Sequence, residues 1–98
     1  MEIIKNKDGA KLDISLVGRL DTTTAPSLEA EINASIEGVT ELVLNFSELE
    51  YISSAGLRVL LAAQKIMNKQ GNMTVKNANS DIMEVFDITG FADILNIE

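Results

Sequence analysis

The chain contains no cysteine, no histidine and no tryptophan, and a single proline among its 98 residues. Without cysteine there is no disulfide, no thiol chemistry and no cysteine-ligated structural zinc. Without histidine there is no Ser-His-Asp or Cys-His catalytic set. A metal site built from carboxylates alone is the one remaining option, and no motif supports it. We therefore expect neither an enzyme nor a bound metal ion or cofactor.

Basic residues are also scarce. Eight lysines and arginines stand against fifteen aspartates and glutamates, which gives a net charge of −7. This balance opposes binding to nucleic acid or to an anionic membrane. The segment Met1–Asp8 has no apolar stretch of the kind found in signal peptides, and no run approaches the roughly 20 apolar residues of a membrane span. A cytoplasmic protein that binds neither nucleic acid nor membrane is expected.

The apolar content indicates a folded chain. Hydrophobic residues make up 46% of the sequence and charged residues 23%, unlike a disordered segment. There is no linker, no low-complexity run and no internal repeat. A chain of this length forms one domain, so we expect a single domain over residues 1–98.

The first part of the sequence predicts a hairpin followed by a helix. Asp8-Gly9 favours a tight turn, and apolar residues then alternate with polar ones until Gly18, as in a strand with one buried face. Asp21 to Thr24 supply capping side chains, and Pro26 suits the first turn of a helix that Gly38 ends. The apolar face of that helix consists of Leu28, Ile32 and Ile36.

The middle of the sequence predicts a central strand. Leu42-Val43-Leu44 is a continuous apolar run, which is typical of a strand covered on both faces. A strand, a helix and a strand in that order form a right-handed crossover, so this strand should lie parallel to the one before the helix. The segment Asn45–Ile52 is interpreted as a loop that leaves its carboxyl end.

The remaining sequence predicts a long helix, a short strand and a last helix. The long helix begins after Ser53-Ser54 and ends at Gly71 through a positive φ angle. Met73 to Lys76 alternate as a fourth strand, Asn79 to Asp81 cap the last helix, and Gly90 closes it. The predicted fold class is α/β, with a mixed four- to five-stranded sheet, an N-terminal hairpin and helices packed against the sheet.

Chemistry in open α/β sheets gathers beyond the carboxyl ends of the parallel strands. The two loops there, Gly18–Thr22 and Asn45–Gly56, are expected to share one rim. Ser53 and Ser54 stand at a helix start, where a serine most often caps the helix, but where the free N–H groups would also stabilise a phosphate. Gly56 would leave the backbone beside Ser54 open to a partner.

Three segments together resemble the STAS domain of bacterial anti-sigma factor antagonists: Gly18–Asp21, Leu42–Ser47 and Tyr51–Leu60. The resemblance implies a STAS-like fold. It also implies that the unphosphorylated protein binds an anti-sigma factor serine kinase and so releases a sigma factor. The kinase would switch the antagonist off by serine phosphorylation, and a serine phosphatase of the PP2C type would restore it.

The resemblance also assigns residues. Ser54 aligns with the family's phosphoserine, and Ser53 is the alternative acceptor. The implied partner-binding rim comprises Asp21, Thr22, Asn45, Ser53, Ala55, Gly56, Leu57 and Arg58. The family often has aspartate where this chain has Asn45 and Ser53, which makes the rim less negative here.

Two other functions remain open from the sequence. The loss of the two aspartates suits a STAS scaffold that is never phosphorylated, for example in a signalling assembly or a lipid-transport complex. An enzyme or a weakly nucleotide-binding domain is the third option. It is the least supported, because the chain lacks a glycine-rich phosphate loop, a nucleophile elbow and any histidine base.

Overall fold

The computed structural model describes all 98 residues as a five-stranded sheet with three α-helices. The elements, in chain order, are β1 (Glu2–Asp8), β2 (Lys11–Leu20), α1 (Ala25–Ser35), β3 (Glu41–Ile52), α2 (Ser54–Gln70), β4 (Asn72–Lys76), α3 (Ser80–Thr89) and β5 (Asn96–Ile97). A short 3₁₀ turn, Phe91–Asp93, precedes β5. The strands lie in the order β1-β2-β3-β4-β5, and only β1 runs antiparallel to its neighbour. The predicted α/β class with a mixed sheet is confirmed.

The hairpin and the crossover are confirmed as well. β1 and β2 pair with Asp8 opposite Lys11, so that only Gly9 and Ala10 connect them, and Gly9 has a φ of 60°. β2 and β3 are adjacent and parallel, as the strand-helix-strand order predicts. Their carboxyl ends therefore meet at one edge of the sheet.

The core lies on one face of the sheet, between the strands and the three helices. Leu42 and Leu44 of β3 join this core together with buried residues of α1, α2 and α3. Val43, between them, lies on the opposite face, where Asp13, Ser15 and other side chains line a shallow open depression. The prediction that β3 is covered on both faces is therefore wrong. Val43 is buried although no helix packs on that face.

β3 is longer than the sequence predicts. The segment Asn45–Ile52, expected to be a loop, continues the strand, and β2 likewise runs past Gly18 to Leu20. The pairing with β2 shifts twice, and β3 contributes the extra residue each time. The partners are Ser15 with Asn45 and then Val17 with Glu48, and Gly18 with Leu49 and then Arg19 with Tyr51. Such bulges break the two-residue alternation that identifies a strand in a sequence.

α2 and α3 end at the predicted glycines and begin within two residues of the predicted positions, at Ser54 and Ser80. Ser53 caps α2, and the side chain of Asn79 caps α3 by accepting a hydrogen bond of 2.8 Å from the backbone N–H of Ile82. Gly90 ends α3 in the left-handed conformation, with a φ of 80°.

Gly71 ends α2 for a different reason from the predicted one. Its φ is 170°, which is extended backbone rather than a positive φ of the left-handed kind. A Cβ at this position would overlap the carbonyl group of Thr40, which precedes β3. The glycine is therefore required by a close approach between two backbone segments.

None of the three helices has the length and apolar character needed to span a lipid bilayer.

Candidate functional site

The β2–α1 turn and the β3–α2 junction lie side by side at the end of the sheet. Leu20 pairs with Ile52, and the Ser53 N–H donates a hydrogen bond of 2.9 Å to the Leu20 carbonyl oxygen. This contact places Asp21 and the two serines at the same edge, as the parallel pairing of β2 and β3 predicts.

A cleft between the first turns of α1 and α2 extends this edge. Thr22, Ala55 and Arg58 line it, together with Pro26 and Glu29 of α1. The structure does not bring all of the residues of the predicted rim together. From here on, the term rim means only the six residues that lie at this edge: Asp21, Thr22, Ser53, Ser54, Ala55 and Arg58.

The two serines of the rim have different environments. Ser53 is the N-cap of α2, and its Oγ accepts a hydrogen bond from the Gly56 N–H at 3.4 Å. Ser54 is the first residue of the helix; its side chain is exposed and makes no hydrogen bond within the chain. Of the two hydroxyls, that of Ser54 is the exposed one without a hydrogen bond in the chain, whereas modification of Ser53 would break a helix cap.

Asp21 organises the turn that leads into α1. Its Oδ1 accepts hydrogen bonds from the Thr23 hydroxyl (2.7 Å), the Thr23 N–H (3.0 Å) and the Thr24 N–H (3.2 Å). These bonds, of which that from the Thr23 hydroxyl is the strongest, hold the pKa of Asp21 below its ordinary value of 3.8. Thr24 is the N-cap of α1, but its side chain makes no cap hydrogen bond. Among the side chains of Asp21 to Thr24, which were predicted to cap the helix, those of Asp21 and Thr23 instead stabilise the turn that precedes it.

The lowered pKa of Asp21 predicts a pH-dependent contribution to stability. The contribution is fully present above the unfolded pKa and is lost as the pH falls through the lower folded pKa. At neutral pH we expect the melting temperature of Asp21→Asn to lie below that of the unaltered chain. The difference should shrink as the pH is lowered from about 4 towards 2, in the range set by the ordinary aspartate pKa.

Thermal melts followed by circular dichroism across this pH range test the prediction. Asp8→Asn is the control, because Asp8 is exposed and its carboxylate accepts no hydrogen bond and forms no ion pair in the chain. A difference between Asp21→Asn and the unaltered chain that stays constant with pH would contradict the assignment.

Asn45 does not belong to the rim, contrary to the prediction. It pairs with Ser15 on one side and Lys76 on the other, seven residues before the end of β3. At about 3.3 Å per residue, this puts it roughly 20 Å from Ile52. Its Oδ1 accepts hydrogen bonds from the Ser47 N–H (3.0 Å) and the Asn77 amide (3.1 Å) on the open face of the sheet. The prediction failed because β3 continues beyond Asn45.

Gly56 and Leu57 are likewise not part of the accessible rim, although both were predicted there. Leu57 is a core residue, and Gly56 is buried. A Cβ on Gly56 would lie 2.8 Å from side-chain carbons of Ile52 and Leu20. The glycine thus lets α2 pack closely on the ends of β2 and β3, and it does not expose backbone to a partner.

Arg19 and Tyr51 border the rim and were absent from the predicted set. The Arg19 guanidinium lies 4.3 Å from the centroid of the Tyr51 ring, and its Nε is 3.9 Å from Oδ2 of Asp21. Tyr51 remains 41% exposed. The two residues are opposite each other in neighbouring strands, a pairing that appears only after both bulges of β3 are counted.

Comparison with known proteins identifies the family. The model of the STAS domain matches residues 3–98. The chain belongs to the STAS domain family. It is 36% identical to the putative anti-sigma factor antagonist BtrV of Bordetella bronchiseptica, over 99% of this chain and 85% of that protein. It is 31% identical to the anti-sigma-B factor antagonist of Listeria monocytogenes, over 97% of this chain and 85% of that protein. This STAS chain is therefore related to the anti-sigma factor antagonists, as the sequence motifs indicated.

Solved structures of anti-sigma factor antagonists share its fold. An anti-sigma factor antagonist from Mycobacterium paratuberculosis superposes with a TM-score of 0.88 at 24% identity, covering 98% of this chain and 83% of that one. The anti-sigma factor antagonist SpoIIAA in its unphosphorylated form gives a TM-score of 0.79 at 20% identity, covering 99% of this chain and 87% of that one.

Proposed function

We propose that this STAS domain is an anti-sigma factor antagonist controlled by phosphorylation of Ser54. In this proposal the unmodified chain binds an anti-sigma factor that is a serine kinase, and a sigma factor is thereby released. The observation that carries the proposal is the exposed Ser54 hydroxyl, which begins α2 and makes no hydrogen bond within the chain. The names of the relatives, which are anti-sigma factor antagonists, support the choice of partner.

The environment of Ser54 suits a phosphate in the free protein. Phosphorylation adds a charge of about −1.5 to −2. The first N–H groups of a helix lack partners and carry a partial positive charge, so α2 would stabilise this charge without unfolding. Arg58 follows one helical turn later on α2, is exposed and has no ion-pair partner in the structure.

The same phosphate would break the complex. A partner that covers Ser54 must strip water from the phosphate, and an unpaired buried charge destabilises by several kcal/mol. Each 1.4 kcal/mol weakens binding tenfold. One modification is thus enough to release the partner. The kinase and a serine phosphatase of the PP2C type would supply all the chemistry, and the chain itself would catalyse none.

Phosphorylation of the purified chain tests the proposal. The chain is incubated with ATP, Mg²⁺ and a purified anti-sigma factor serine kinase, and the site is mapped by mass spectrometry. We expect one phosphate per chain on Ser54. Ser54→Ala should abolish the modification, and Ser53→Ala should retain it.

Two results would contradict the proposal. Modification of Ser53 would move the switch to the helix cap. Tight binding of the kinase without modification of either serine would favour the unphosphorylated scaffold, the alternative suggested by asparagine at position 45 and serine at position 53.

A further inference from the structure

A groove lies next to the rim, between the end of β3 and the first turns of α3. We call it the α3 groove; its lining residues are Glu50, Tyr51, Ile52, Asp81, Ile82 and Val85. Ile52 and Ile82 are buried, whereas Tyr51 is exposed and Val85 partly exposed. Ile88, one turn after Val85 on α3, is 76% exposed. The apolar surface therefore continues beyond the groove along the helix.

The groove is bordered by negative charge. Glu50 and Asp81 line it, and Glu84 follows Asp81 by one turn of α3. None of the three forms an ion pair within the chain. Arg19, which stacks on Tyr51, is already paired with Asp21 on the side of the rim. The result is an apolar surface with unpaired carboxylates beside it.

We infer that the α3 groove is a second part of the docking surface for the anti-sigma factor, and that it binds an apolar side chain flanked by lysine or arginine. This inference rests on the proposed function. Tyr51 and Ile52 of the groove immediately precede Ser53 and Ser54 of the rim, so the groove lies beside the rim. Charge complementarity selects the occupant, because basic side chains would pair with the free carboxylates.

A second copy of this chain fits the groove less well. With a net charge of −7, it would bring further acidic groups against Glu50 and Asp81. Like charges placed against one another across an interface oppose association. A basic and apolar segment of a different protein meets no such repulsion.

Charge reversal tests the inference with a matched control. The variant Glu50→Lys/Asp81→Lys reverses the groove. Glu37→Lys/Glu41→Lys reverses two exposed, unpaired glutamates outside the groove; Glu37 lies in the turn after α1, and Glu41 begins β3 at the end away from the rim. Both variants change the net charge equally, so they alter long-range attraction to a similar extent. The affinity for the purified anti-sigma factor kinase is measured by calorimetry at low and physiological salt.

We expect the groove variant to bind at least about tenfold more weakly and with a smaller salt dependence, while the control stays within about twofold. Tyr51→Ser tests the contribution of the apolar surface of the groove in the same way. Its control is Ile4→Ser, because Ile4 is exposed on the open face of the sheet.

Equal losses of affinity from the two charge reversals, or no loss from either, would overturn this inference alone. Dimerisation of the unaltered chain that Tyr51→Ser abolishes in sedimentation would assign the groove to a second copy. Failure of the unaltered chain to bind the kinase would overturn the proposed function as well.

Discussion

Ser54→Asp is expected to weaken binding of the anti-sigma factor kinase by about 100-fold or more. The change places a negative charge at the exposed start of α2, where the partner is proposed to cover the rim. An uncompensated buried charge costs about 3–5 kcal/mol, and each 1.4 kcal/mol corresponds to a factor of ten in affinity. Isothermal titration calorimetry measures the effect directly.

Ser54→Asn separates charge from shape, because asparagine has nearly the same size as aspartate and no charge. We expect its affinity to stay within a few-fold of that of the unaltered chain. The fold should tolerate both changes, and aspartate in the first turn should even stabilise α2 by about 0.5 kcal/mol through the helix dipole. Equal losses of affinity for aspartate and asparagine would contradict a switch based on charge.

Gly71→Ala is expected to destabilise the fold by about 3 kcal/mol, near the upper end of the usual cost of overpacking. The new Cβ would overlap the Thr40 carbonyl group, whose oxygen accepts a hydrogen bond of 2.9 Å from the Asn72 N–H. The Thr40 backbone cannot move away freely, because the pairing of Glu41 with Asn72 begins immediately after it. For a domain of this size the melting temperature should fall by roughly 15 °C.

Gly38→Ala is the control for Gly71→Ala. Gly38 has a φ of 78°, but a Cβ there would meet no atom within 4 Å. The expected cost is about 1 kcal/mol, from backbone conformation alone. Equal destabilisation by the two substitutions, measured by chemical denaturation, would show that the contact with Thr40 is not the reason for glycine at position 71.

The elements predicted best from the sequence are those whose ends carry local signals. Ser53 and Asn79 cap their helices because a short polar side chain there accepts a hydrogen bond from a free backbone N–H three residues later, which is a local requirement. The residues of α1 that face the core, Leu28 and Ile32, were predicted for the same reason, since helical spacing is a local property.

The features that the sequence did not reveal depend on residues far apart in the chain. The second half of β3 was interpreted as a loop because two bulges hide its alternation, and a bulge is defined only by the partner strand. Asn45 was placed on the rim as a result. The role of Gly71 depends on Thr40, and that of Gly56 on Leu20, so neither was visible in a local pattern.

The rim was predicted in part. Asp21 and the two serines lie at one edge because parallel strands end at the same side of a sheet, a rule that needs only the order of the elements. The order of the elements does not reveal which of the two serine hydroxyls lacks a hydrogen bond within the chain, because that depends on side-chain geometry. The Ser53 hydroxyl oxygen accepts the Gly56 N–H as a helix cap, and Ser54 extends into solvent.

The affinity of the anti-sigma factor kinase for two forms of the unaltered chain tests the central claim most directly. One form is unmodified and the other carries a single phosphate on Ser54, verified by mass spectrometry. We predict a dissociation constant at least about 100-fold larger for the phosphorylated form, from the cost of desolvating its charge. Equal dissociation constants for the two forms would contradict the claim that phosphorylation of Ser54 releases the partner.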